Sequence, residues 1–178
     1  MNCRKANMAD KECIAKVHVD SWRTTYKGIM PDAFLANLSY EQFTAIWEKN
    51  LNIEDNFVIA VENEEGKIVG FADSWKRASN TEENAIDLTS IYLLETYQGK
   101  GLGKLLLKEL FTHYKNQGYT KVFVEVLEDN KTRYFYEYYG AEFVKTVQIK
   151  IGGKIVNESI YAWRSVDRTY EKLISTKE

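Results

Sequence analysis

The chain is poor in the residues that mark specialised proteins. Proline occurs once, at Pro31, and cysteine twice, at Cys3 and Cys13. A single proline excludes a collagen-like or polyproline segment, and two cysteines make neither a disulfide framework nor a metal cluster. Neither thiol has a reactive context, so a reducing cytoplasm is the simplest setting. Long apolar runs are missing too: the longest is 57–61, and others such as 105–107 are shorter, far short of the roughly 18 residues of a spanning helix. The first 13 residues hold Arg4, Lys5, Asp10 and Lys11 without an apolar stretch, so no secretory signal is expected and no membrane partner. Charge of one sign is also absent. The 24 Lys and Arg balance 26 Asp and Glu, for a net charge of −2, so no positive field exists to gather nucleic acid. There is no repeat, low-complexity tract or linker.

What remains is an ordinary globular composition. Of 178 residues, 44% are hydrophobic and 28% charged, enough for one domain over 1–178 to bury its own core. The stretch 166–178 is expected as a frayed tail. Residues 3–6 read as a first strand. Asp10 is a candidate N-cap for a helix carrying Ile14, His18, Trp22 and Tyr26 along one face, ended by Gly28. Pro31 and Asp32 open a second helical stretch, broken at Ser39. Strands follow over 57–61, 68–75 and 86–94, with a turn at 63–67 and a polar loop at 79–84. A helix over 101–117 has Leu102, Leu106 and Leu110 on one face and Gly118 as its stop. Then come a strand at 121–127, a short helix at 130–139 and a hairpin turning at Gly152 and Gly153. This order predicts an α/β (α+β) chain: a mixed, mostly antiparallel central sheet flanked by helices. Edge strands in the last hairpin are compatible with a homodimer.

The strongest local signal is the loop Gln98, Gly99, Lys100, Gly101, Leu102, Gly103, Lys104, between a strand and an amphipathic helix. Glycines let the backbone turn sharply and remove Cβ atoms from its inner surface. The free N–H groups of the helix's first turn then make an anion site, and Lys100 and Lys104 add positive charge. A phosphate or pyrophosphate is the natural occupant. A nucleotide P-loop is excluded, because Gln98 stands where its first glycine belongs and Leu105 where its Ser or Thr belongs. A dinucleotide loop would need an acidic residue about 20 positions on, and 115–118 holds none. Taken alone, the loop could equally be a turn with no ligand.

A second stretch changes the reading. Asn130, Arg133, Phe135, Tyr136, Glu137 and Gly140 match N-x-x-R-x-F-Y-E-x-x-G. The first loop matches Q/R-x-x-G-x-G/A at Gln98, Gly101 and Gly103. Together, about 30 residues apart and each following a strand, they resemble the GNAT superfamily of N-acetyltransferases. The segment 18–32 is more loosely similar to the N-terminal helices of one bacterial branch. One departure is Glu95, where the family often has proline.

The resemblance implies a GNAT-like acyl-CoA N-acyltransferase fold, acetyl-CoA as donor and an amine as acceptor, which is expected to be a primary amine of a small molecule. It also implies that the fourth and fifth strands splay apart. Backbone groups of Ile91 and Leu93 would then pair with the pantetheine arm, and N–H groups over 98–104 would hold the pyrophosphate. Asn130 either holds the pantetheine or caps the short helix. Tyr136 is the candidate group beside the thiol, its alternative being a core aromatic. A phenol of pKa about 10 facing a thiol of about 8.5 makes full proton donation uphill by roughly 2 kcal/mol, so a hydrogen bond to developing negative sulfur is the expected role. A free alkylamine is about one part in 2,500 neutral at pH 7, so a proton acceptor is needed. Asp87 is the first candidate, at the strand position where relatives carry a glutamate and on one face with Thr89, Ile91 and Leu93. Glu125 is the second, and for either a solvated strand-end carboxylate is the alternative. Trp22 and Tyr26 could hold a cationic acceptor on their ring faces or simply pack in the core. Peptide, N-terminal or lysine acetylation, and a non-catalytic acyl-CoA-binding module, stay open beside the small-molecule enzyme.

Overall fold

A computed structural model describes residues 1–175 of the chain. The end of the expected tail, 176–178, lies outside the described residues. The strands are β1 (Asn2–Lys5), β2 (Phe57–Glu62), β3 (Ile68–Trp75), β4 (Ala85–Leu93), β5 (Lys121–Leu127), β6 (Glu142–Ile151) and β7 (Lys154–Trp163). They form one sheet in the order β1-β2-β3-β4-β5-β7-β6, in which β4 and β5 pair in parallel and the other neighbours are antiparallel. The helices are α1 (Lys11–Thr25), α2 (Asp32–Ala36), α3 (Tyr40–Leu51), α4 (Leu102–Asn116), α5 (Thr132–Tyr138) and α6 (Val166–Ser175). No helix among the described residues is long and apolar enough to cross a membrane.

Each face of the sheet has its own core. Leu102, Leu106 and Leu110 of α4 pack with Ala72, Leu88, Val124 and Trp163 on one side. Ile14 and Val17 of α1 pack with Trp47, Val58 and Phe71 on the other. The α4 stop is a Schellman closure: Gly118 sits at φ +78°, its N–H bonds Lys115 O, and the Tyr119 N–H bonds Tyr114 O. The break at Ser39 is a helix start, where its hydroxyl accepts from the Gln42 N–H.

Three expectations are corrected. Asp10 makes no side-chain cap on α1. A 3-10 turn, Met8–Asp10, precedes the helix and is capped by Asn7, whose Oδ1 accepts from Ala9 N at 2.9 Å. Asp10 closes this capping box by accepting from Asn7 N, and it takes both Arg4 Nη atoms at 2.7 and 2.8 Å. The tail expected from 166 is instead α6, because Val166, Thr169 and Leu173 are buried and Val166 and Leu173 join the α4-side core.

The third correction concerns β4. Asp73 pairs with Ser90 and Ser74 with Leu88, so Thr89 is an extra residue, a β-bulge. A bulge inverts the alternation beyond it. Ile91 stands opposite Ala72 and packs toward α4. Asp87 stands opposite Trp75, two residues from Asp73 and four from Phe71 on the α1 face. Asp87 therefore does not share a face with Ile91 and Leu93.

The Arg4 and Asp10 pair gives a pH-linked prediction. Arg4 holds the Asp10 carboxyl below its ordinary 3.8, so its stabilisation is present above that value and is lost as pH falls through the lower folded one. Asp10→Ala should lower unfolding free energy by about 2 kcal/mol at pH 7, and by progressively less below pH 3.8. Urea denaturation at the two pH values checks this.

Candidate active site

The site begins where two strands part. The parallel ladder runs from Ala85↔Lys121 to Leu88↔Val124 and stops, although β4 continues to Leu93 and β5 to Leu127. The Thr89 bulge sits at this point and bends β4 away. Leu94 N bonds back to Val69 O at 2.9 Å, which sets the parity: Leu94 and Tyr92 face β3, while the backbone groups of Leu93 and Ile91 face the gap. The gap is a slot of about 70 Å³ bordered by Ser90, Ile91, Glu125, Val126 and Tyr136. Through Ile91, Leu93, Gln98 and Asn130 it continues into a cleft of about 810 Å³.

The glycine loop forms one wall of that cleft. Gly99 and Gly101 hold φ of +70° and +77°, a region that disfavours any Cβ. Gly101 is the N-cap of α4, and the first N–H bonded back to it is that of Leu105. The N–H groups of the first turn, from Leu102 on, thus precede the helix ladder, and Gly101, Gly103 and Lys104 line the cleft. The Leu102 side chain is buried in the core, so only its backbone can serve a ligand. Gln98 donates from Nε2 to Leu93 O at 3.1 Å, tying the loop to the slot. Lys100 is exposed, its ammonium 5.1 Å from the Tyr97 ring centre.

The second motif forms the facing wall. A Cβ on Gly103 would lie 3.4 Å from the Phe135 ring, so the two motifs touch across this glycine. Asn130 is buried; its Oδ1 accepts from Thr132 N at 2.9 Å and its amide is a partner of the Tyr26 hydroxyl. It therefore fixes the start of α5 while lining the cleft. Tyr136 packs edge-on against Trp163 with ring centres 5.6 Å apart and borders the slot. Burial, reinforced by the nearby Tyr26 hydroxyl, pushes its pKa well above the usual phenol value. At neutral pH it is a neutral O–H donor.

The structure does not bring every expected residue to the slot. Tyr26 and Glu125 border it. Trp22 stands behind, packed on His18, Tyr26 and Phe43. Asp87 borders neither space: its Oδ2 accepts from Arg77 N at 3.0 Å and Asn80 Nδ2 at 2.8 Å. Arg77 in turn pairs with Glu125 at 3.2 Å. Phe135, Ser90 and Tyr92 were not singled out from the sequence. Phe135 lay inside the quoted motif, whereas Ser90 and Tyr92 had no signal beyond their strand. The Tyr92 and Tyr26 hydroxyls are 3.1 Å apart.

A split parallel strand pair beside a glycine cradle at a helix N-terminus defines an acyl-CoA-dependent transferase architecture. The cradle suits a diphosphate, and the unpaired backbone of β4 suits an amide-bearing arm. The model of the acetyltransferase (GNAT) family matches residues 19–141. The chain is 37% identical over 160 residues to the uncharacterized N-acetyltransferase YuaI of Bacillus subtilis, covering 90% of this chain and 91% of that protein. It is 39% identical over 77 residues to the [ribosomal protein bS18]-alanine N-acetyltransferase of Haemophilus influenzae, 43% of this chain and 49% of that one. A PaiA N-acetyltransferase from Thermoplasma acidophilum, solved with coenzyme A, superposes with a TM-score of 0.67 at 22% identity, over 88% of this chain and 96% of that one, a likeness of fold. The chain belongs to the GNAT family and is an acetyl-CoA-dependent N-acetyltransferase.

Gly101→Val should strain the left-handed turn and cover the first-turn N–H groups. Calorimetry should show coenzyme A affinity falling by at least about 100-fold, as expected when several charge-assisted hydrogen bonds are lost, with an unchanged far-ultraviolet spectrum. Wild-type affinity in the variant would refute the phosphate cradle.

Proposed function

We propose that the acceptor is a primary amine of a small molecule and that transfer is direct, within a ternary complex. The observation that carries this is the closure of the acceptor side. The tip of the β6–β7 hairpin packs on the α1–α2 turn: Lys154 Nζ donates to Ile29 O at 2.8 Å, and a Cβ on Gly152 would lie 2.8 Å from Phe34. Tyr26, Met30, Leu35 and Leu127 form the core of this contact. A peptide laid across the slot would have to displace it. The charge on this side suits a cation. Burial and the neighbouring Glu125 both push the Glu158 carboxyl up, and Arg77 is the cation that opposes them.

In this reading the 98–104 backbone binds the diphosphate, with Lys104 beside it, and the Ile91 and Leu93 backbone groups orient the pantetheine arm. Asn130 keeps α5 at the angle that presents Tyr136. Acetyl-CoA supplies an activated thioester carbonyl and a thiolate leaving group. Tyr136 donates a hydrogen bond to sulfur as charge develops there, and its raised pKa keeps the proton on the phenol throughout. Tyr26 and Glu125 receive the amine, Trp22 stiffens Tyr26 from behind, and Asp87 anchors the Arg77 that holds Glu125.

The likeness to the ribosomal-protein alanine acetyltransferase favours a second reading, a protein N-terminus as acceptor. Thiol release with acetyl-CoA and a panel of butylamine, putrescine and an alanine-led peptide separates the two. Small amines should turn over and the peptide should not. Tyr136→Phe should lower kcat by about 100-fold with coenzyme A affinity near wild type. Full activity of that variant would remove Tyr136 from the chemistry.

A further inference from the structure

Asp73 is a buried acid for which the site as described has no use. It lies on β3, 2% exposed, on the α1 face behind the mouth of the slot. Its Oδ2 accepts from Thr89 Oγ1 at 2.8 Å. Its Oδ1 is buried with no partner in hydrogen-bond geometry. Ser90 stands directly opposite on β4, interacts with the carboxyl and itself borders the slot that Tyr136 borders. The Thr89 bulge creates this arrangement, because it turns Ser90 to the face of Asp73 just where β4 leaves β5.

Building on the acetyltransferase reading above, we propose that Asp73 receives, through the Ser90 hydroxyl, the proton that the acceptor amine loses. The acceptor reaches the site as the free amine, its ammonium proton already released to water, and its N–H proton passes to Ser90 Oγ as the Ser90 hydrogen passes to the Asp73 carboxylate. The C–N bond forms as the C–S bond breaks, and the thiolate leaves accepting a hydrogen bond from Tyr136 and takes its proton from water. Overall an ammonium and a thioester become an amide, a thiol and one proton, and Asp73 holds that proton before it returns to water. Ser90 touches the reacting amine; Asp73 is a positioning and proton-holding residue behind it.

The surroundings suit the task. Burial raises the Asp73 carboxyl from 3.8 to about 6, so it is ionised at neutral pH yet basic enough to accept a proton. Ser90 and Thr89 from β4 and the Arg77 charge after β3 work against that rise. From α4, the Tyr114 hydroxyl feels Asp73 and Asp87 and is itself raised, so it stays neutral. On the α1 side, His18 abuts Phe71 and Tyr92 and is pushed down by burial to about 3, so it adds no charge.

The test compares wild type, Asp73→Asn and Ser90→Ala with acetyl-CoA and butylamine or putrescine. Wild-type log kcat/KM should rise with pH by one proton's slope as the amine deprotonates, and steepen to two protons below about pH 6. Both variants should lose at least about 100-fold in kcat/KM, lose the steepening and keep coenzyme A affinity. Without substrate, the Asp73 carboxyl carbon should titrate by NMR near pH 6, not 3.8. The raised pKa also means that Asp73 stabilises least once ionised: its contribution is complete below pH 3.8 and lost as pH rises through about 6. Asp73→Asn should therefore melt above wild type at pH 7 and not below pH 3.8. Variants that keep rate or steepening, or an ordinary NMR midpoint, would overturn the role; if Asp73→Asn fails to fold, Ser90→Ala and the titration still decide. No thiol release from wild type with any amine would overturn the acceptor reading as well. An active wild type with indifferent variants would overturn the Asp73 role alone.

Discussion

The divergence of β4 from β5 after Leu88 and Val124 is the constraint on which the rest of the molecule depends. A parallel ladder that simply continued would satisfy the backbone of Ile91 and Leu93 and leave no slot. Instead those groups face a cleft, where the Gln98 amide satisfies Leu93 O and a ligand or water can complete the rest. The bulge at Thr89 makes the divergence a property of the covalent chain, since one extra residue bends the strand and resets which side chains face which layer. Both consequences serve the site. The strand swings clear of β5, and Ser90 comes round to Asp73.

Everything around the gap then works by burial. Tyr136, Glu158 and Asp73 are all displaced toward their neutral forms, with desolvation as the largest cause in each case. A phenol and two carboxyls thus differ in chemical type while sharing one physical origin for their shifts. Glu125, at the edge of the slot, keeps Arg77 as its ion-pair partner.

Much of this was legible in the sequence, and the parts that were not share a cause. The helix and strand order came from local periodicity and from punctuation such as Ser39 and Gly118, which act within a few residues. The glycine loop and the Asn130–Gly140 motif were legible for the same reason. The Thr89 bulge was not, because a bulge is defined by the partner strand: alternation along β4 alone places Asp87 with Ile91, and only the pairing with β3 separates them. Asp10 misled as a cap because Asn7 and Arg4 compete for it through contacts outside the helix. The helix α6 was missed because its burial depends on α4, far away in sequence.

Closure of the acceptor side follows from the same long-range logic. Phe34 and Ile29 lie just beyond α1, and the hairpin tip that meets them lies more than a hundred residues later. Gly152 is needed there in two ways: its φ is +56°, and a Cβ would collide with Phe34 at 2.8 Å. A larger residue at this tip would push the hairpin off the α1–α2 turn, whose Gly28 and Ile29 line the cleft and whose Tyr26 borders the slot. A contact between two loops far apart in sequence therefore shapes one wall of the same space that the two central strands open.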